Sequence, residues 1–311
     1  MNAEKNDDEI KDDIEEDMED KITNEKEMKL KKNEKIRVDI SEIEWWDPAT
    51  LPDNFFLLIS SKRRSGKSVL VSHILKPVHK RFERAYLFSE TAHLQDDLYM
   101  FIPKNNRYQN FRPDIIQNII DKQLQIKNSI NKSDKKNKVP SILLLLDDVI
   151  GDPAVRTSNV LKDLATKGRH GLNISVILLS QTISAKNGFP SVVRQNCDVM
   201  ITFAAFDKFN RDTIVEGYGS IVDKTEGIKL LNSITCSEPY MTCVFEVWRN
   251  NLHEYKDYVK KYKAPSPTPP KFKIGNQDEA FNVSLKRDNV MLCSPSVFME
   301  VSGGRELNLN L

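Results

Sequence analysis

Residues 55–75 read FFLLISSKRRSGKSVLVSHIL: an apolar run, a basic and polar loop closing on Ser-Gly-Lys-Ser, then at once a helix-compatible pattern. No other stretch restricts the fold as much. A strand running through a tight loop into a helix turns the loop's N–H groups and the positive end of the helix dipole toward one point. That is the layout of a phosphate-binding loop, in which Lys67 would reach the β- and γ-phosphates of ATP and Ser68 would hold Mg²⁺. The residues expected to surround the ligand are Ser61, Lys62, Arg63, Arg64, Ser65, Gly66, Lys67, Ser68 and Val69. The full pattern asks for glycine where this chain has Ser61. A serine held at a glycine-like φ would cost about 1 kcal/mol. The triplet Lys62-Arg63-Arg64 alone could be a basic surface loop, but the strand before it and the helix after it favour phosphate.

At 311 residues, one large α/β domain with tails is expected. The net charge of +1 hides a split: residues 1–20 carry eleven Asp and Glu against two Lys. Residues 1–36 therefore read as a charged, disordered tail, and the basic remainder permits a polyanionic partner. Cys197, Cys236, Cys243 and Cys293 show no metal-binding or C-x-x-C spacing and read as reduced thiols. No apolar run reaches about 18 residues and no signal-peptide pattern opens the chain, so neither secretion nor a membrane span is expected.

Strands are expected at residues 55–60, 85–89, 141–146, 174–180 and 199–203. Helices are expected after the phosphate loop to about Val78, from Pro113 to Ile126, over 157–167 with Gly168 as its stop, and near 210–218 and 224–234. Trp45, Trp46, Pro48, Leu51 and Pro52 form an apolar lead-in expected to pack on the sheet. Residues 240–248 alternate like an antiparallel edge strand. Strands alternating with helices give a RecA-like α/β fold: a mostly parallel sheet flanked by helices, with one added antiparallel edge strand. The domain would span 37–263, and a Pro-rich linker (APSPTPP, from 264) and a tail would complete 264–311. Ligands in such sheets bind at the carboxyl ends of the strands.

The candidate chemistry lies there. Asp147 ends a run of five Ile and Leu, the Walker B arrangement, and would hold Mg²⁺ with Ser68 from a strand beside the phosphate-loop strand. Asp148 stands where a water-activating carboxylate is needed, although both carboxylates could merely begin a turn. Gln181 follows the next strand and would sense the γ-phosphate or the attacking water. Arg169, beside His170, and Arg194 are the candidates for an arginine supplied to a neighbouring subunit. Lys132, Lys135, Lys136 and Lys138 read as a solvated loop, with DNA-backbone contact as the alternative.

The segments SSKRRSGKS, ILLLLDD, KDLATKGRHGLNISVILLSQ and VVRQNCDVMITF together resemble the genome-packaging ATPases of large double-stranded DNA viruses and virophages, a branch of the FtsK–HerA superfamily. The likeness runs from about Trp45 to Trp248, and its most specific part is the Gly-Arg-His turn before a strand ending Ser-Gln. The resemblance implies a homo-oligomeric ring, a pentamer or hexamer, in which ATP hydrolysis drives double-stranded DNA into a preformed capsid through a capsid or portal-vertex protein. It implies the host cytoplasm, at the viral factory, with carriage in the virion as an alternative. Carried onto this chain, it gives Lys67 and Ser68 to phosphate and Mg²⁺, Asp147 to the metal, and Asp148 to water. Gln181 then senses the γ-phosphate, and Arg169 serves the adjacent subunit.

About 47 residues follow the start of the Pro-rich stretch, too few for the nuclease domain of a terminase, so translocation without cutting is expected. Ser61 and Asp148 depart from the superfamily pattern of Gly and Glu. A DNA pump outside packaging and a poorly hydrolysing nucleotide-binding scaffold thus stay open.

Overall fold

A computed structural model describes residues 40–91, 97–130, 138–168, 171–183, 189–205, 207–219, 223–249, 253–265 and 268–275. The acidic tail, Lys132, Lys135, Lys136, Arg169, His170 and Cys293 lie outside the described residues.

Eight strands form one sheet: β1 Phe56–Ser60, β2 Arg84–Ser89, β3 Arg107–Tyr108, β4 Ile142–Asp147, β5 Ile174–Ser180, β6 Val199–Thr202, β7 Met241–Glu246 and β8 Val259–Lys263. Their order is β3-β2-β4-β5-β1-β6-β7-β8. The pairs from β3 through to β6 are parallel, while β6–β7 and β7–β8 are antiparallel. The helices are α1 Lys67–Val78, α2 Pro113–Ser129, α3 Pro153–Thr157, α4 Asn159–Lys167, α5 Ser191–Gln195, α6 Lys208–Tyr218, α7 Lys224–Thr235 and α8 Tyr255–Tyr258.

Both sheet faces are covered, which is why the parallel strands are apolar without alternation. Ile142, Leu144 and Leu146 of β4 pack with Ile116 and Ile120 of α2 and Leu161 and Leu164 of α4. Leu143 and Leu145 point the other way, into the layer formed by Leu70, Val71, Ile74 and Leu75 of α1. Beyond the Pro-rich stretch, Ile274 is fully buried and its N–H donates to Phe101 O at 2.8 Å. No helix among the described residues is long and apolar enough to cross a membrane.

The structure corrects four expectations. First, β4 is not beside β1, because β5 lies between them; chain order carries no information about this insertion. Second, β7 is antiparallel but internal, and β8 is the edge. The sequence of β8, VKKYK, has the composition of an exposed loop. It holds a strand because Lys260 pairs with Glu44 at 2.7 Å while its stem is buried. Third, Trp46 and Leu51 are buried but Trp45 is 59% exposed, bridging to β8 with the Lys261 ammonium 5.3 Å over its ring. Fourth, α4 starts at Asn159 because Ser158 caps it, accepting from Leu161 N, and Gly168 ends it with φ −55°, without the left-handed turn expected of a glycine stop.

Candidate functional site

The loop after β1 folds back on itself around Lys67. Lys67 Nζ donates to the carbonyls of Ser61 at 3.0 Å and Lys62 at 2.8 Å. Burial is the main influence on its ammonium and pulls its pKa below the ordinary lysine value, while Asp147 and Asp148 push it back up. The left-handed residues of the loop are Gly66, φ 91°, and Arg64, φ 60°. Ser61 is not among them, so the expected strain at the missing glycine does not arise; it falls on Arg64. The Ser61 hydroxyl instead bonds within the loop, to Ser65 Oγ and Lys62 O.

Asp147 ends β4 at the same rim, 5% exposed. Burial is the largest influence on its carboxyl and raises its pKa, against the lowering effects of Tyr99 and Lys67. One hydroxyl connects it to the loop. Tyr99 Oη donates to Asp147 Oδ2 at 2.5 Å, and this hydroxyl oxygen of Tyr99 lies 3.0 Å from Ser68 Oγ. Two hard oxygen donors, from helix α1 and strand β4, thus face one point, as Mg²⁺ coordination needs. No group of three or more His, Cys, Asp or Glu among the described residues could hold a metal; Mg²⁺ here would be completed by phosphate and water oxygens.

Asp148 follows in the left-handed region, φ 54°. Gln181 Nε2 donates to both of its carboxylate oxygens, at 2.7 and 2.8 Å. Because β5 separates β4 from β1, the residue just past its end reaches sideways to Asp148. The amide expected to sense phosphate is therefore engaged with the carboxylate expected to activate water. Non-glycine residues in this backbone region are uncommon and concentrate where function constrains the chain.

The structure brings Lys67, Ser68, Asp147, Asp148 and Gln181 to one rim. A cavity of about 780 Å³ there is lined by residues including Arg63, Arg64, Ser65, Gly66 and Val69. Arg194 lies elsewhere, in α5 ahead of the amino end of β6 and so at the opposite rim. Lys138 is exposed. Sequence reasoning missed Tyr99, whose apolar neighbours Leu98, Met100 and Phe101 mark it as core. It also missed Tyr240, Lys263, Ala264 and Pro265, which line the same cavity and for which the sequence carries no motif.

The chain matches the family described as Poxvirus A32 protein over residues 47–237. Among solved structures it is similar to the genome packaging NTPase B204 from Sulfolobus turreted icosahedral virus 2 in complex with ATP-gammaS, at 15% identity and a TM-score of 0.47, covering 68% of this chain and 98% of that one. It is also similar to the pCW3 conjugation coupling protein TcpA, at 14% identity and a TM-score of 0.46, covering 73% and 70%. A third similar structure is the cytoplasmic domain of the Thermomonospora curvata type VII secretion ATPase EccC, at 11% identity and a TM-score of 0.44, covering 68% and 26%. No curated protein matches the chain.

Proposed function

The chain belongs to the Poxvirus A32 protein family, and on that premise we propose that it is an ATP-driven double-stranded DNA translocase of the FtsK–HerA type that packages a viral genome into a preformed capsid. One observation carries the reading: the Tyr99 hydroxyl touches both Ser68 and Asp147, so the end of the phosphate loop and the end of β4 meet at one point. The motif resemblance to genome-packaging ATPases supplies the work that hydrolysis would drive.

Lys67 exchanges its two loop carbonyls for β- and γ-phosphate oxygens, and the loop N–H groups take the remaining charge. Ser68 and Asp147 would hold Mg²⁺, which when bound neutralises the charge on the phosphates. Asp148 accepts a proton from the attacking water, and Gln181 holds its carboxylate in place. Arg169 of a neighbouring subunit stabilises the transition-state charge. The domain proposed for this chemistry is 37–263, flanked by the charged tail and the 264–311 segment. Its partners are duplex DNA, other copies in a pentameric or hexameric ring, and a capsid or portal-vertex protein, in the host cytoplasm.

The test is phosphate release from purified protein with Mg²⁺ and ATP, with and without duplex DNA. Release stimulated by DNA is expected, and Lys67→Ala should lower it by roughly 10²-fold or more while the fold persists. Nucleotide binding with no release in either condition would make the protein a scaffold. Undiminished turnover in Lys67→Ala would remove the phosphate site from this loop.

A further inference from the structure

Part of the lining of the phosphate-loop cavity comes from beyond the region matched to the family. Tyr240, Lys263, Ala264 and Pro265 line the same cavity as Gly66 and Lys67, and all four follow residue 237, where the match ends. Tyr240 is unusual in two respects. Its φ of 64° lies in the left-handed region, which a bulky side chain rarely adopts. Its ring is 60% exposed, with Cδ1 3.5 Å from where a Cβ on Gly66 would stand. Core packing accounts for neither.

The backbone on either side of Tyr240 is joined to the end of β8. Met241 N donates to Glu238 O at 3.3 Å, and Lys263 Nζ donates to Glu238 Oε2 at 2.5 Å. Met241 and Lys263 are partners in the β7–β8 ladder. The turn carrying Tyr240 and the segment entering Ala264–Pro265 are thus tied together at one end of the cavity.

We propose that Tyr240, with Ala264 and Pro265 beside it, is the stacking platform for the base of the bound nucleotide, an inference that rests on the phosphate-loop reading above. Once the phosphates occupy the loop at Gly66 and Lys67, the remaining part of the ligand is a ribose carrying a flat heterocyclic base. Tyr240 offers it an exposed aromatic face beside the loop. Stacking of this kind reads size and flatness and not the pattern of donors and acceptors, because every base has a π-face. The charged group among these four residues, Lys263, is engaged with Glu238. The platform therefore accepts ATP and GTP alike.

The test is calorimetric titration of the full chain with the Mg²⁺ complexes of ATP, GTP and inorganic tripolyphosphate, for the unaltered protein, Tyr240→Ala and Tyr240→Trp. Tyr240→Ala should weaken ATP and GTP by about tenfold and leave tripolyphosphate unchanged, and Tyr240→Trp should restore both nucleotides. Equal weakening of ATP and tripolyphosphate would make Tyr240 a support for the loop and overturn the platform, as would no weakening of either. Unaltered protein that binds tripolyphosphate as tightly as ATP would overturn the platform alone. Unaltered protein that binds neither would overturn the phosphate loop and the platform with it.

Discussion

Asp147 is a carboxylate in a place that disfavours its charge. It is buried at the end of an all-apolar strand, and burial raises its pKa. A carboxyl with a raised folded pKa gives the fold stability at low pH that is lost as pH rises through that value. The ionised form is therefore a cost to the fold. Asp147→Asn should raise the melting temperature of the nucleotide-free protein at pH 7, keep the Tyr99 hydrogen bond, and abolish Mg²⁺-dependent nucleotide binding. The gain should vanish on acidification below the ordinary carboxylate range, where the wild-type side chain is itself neutral. A lower melting temperature at pH 7 would contradict this. Tyr99→Phe should instead lower the melting temperature. It leaves a buried carboxylate short of a donor, costs about 1–3 kcal/mol in urea unfolding, and weakens Mg²⁺-dependent binding. Lys67, Ser68 and Asp147 were legible in the sequence because loop and strand-end chemistry ties residue type to position. Tyr99 was not, because only the folded chain places its hydroxyl between the two motifs.

Strands β7 and β8 carry part of the cavity lining at the Met241–Lys263 end of their pairing, and Glu246 closes β7 at the other end. This carboxylate, 1% exposed, accepts from Trp46 Nε1 at 3.1 Å and from Arg249 at 2.9 and 3.2 Å. Glu246→Ala strands the indole N–H and should cost about 2 kcal/mol of stability, measured as a lower denaturant midpoint. An unchanged midpoint would show that Glu246 does not anchor the hairpin. The parallel strands were legible as near-continuous apolar runs because helices cover both sheet faces. The strand β8 was not, since its lysines are accommodated by Glu44 and by the Trp45 ring and not by any pattern local to the segment. The position of β5 between β4 and β1 could not be read either, because strand order is fixed by packing across the whole sheet.

A ring of copies would complete the chemistry by lending Arg169 to a neighbour's triphosphate. Arg169→Ala and Asp148→Asn should each be inactive alone, while mixtures should recover part of the DNA-stimulated phosphate release, because some interfaces then pair an intact arginine with an intact carboxylate. No recovery at any mixing ratio would place the arginine's role within its own subunit or remove it. All of this depends on one pocket assembled from the loop after β1 and the end of β4. The most direct measurement is an experimental structure of the full chain with Mg²⁺ and a non-hydrolysable ATP analogue. The expected result has the terminal phosphate against Lys67 Nζ, with the metal bridging Ser68 and Asp147. A triphosphate bound away from Lys67, or a metal with neither Ser68 nor Asp147 near it, would contradict the account.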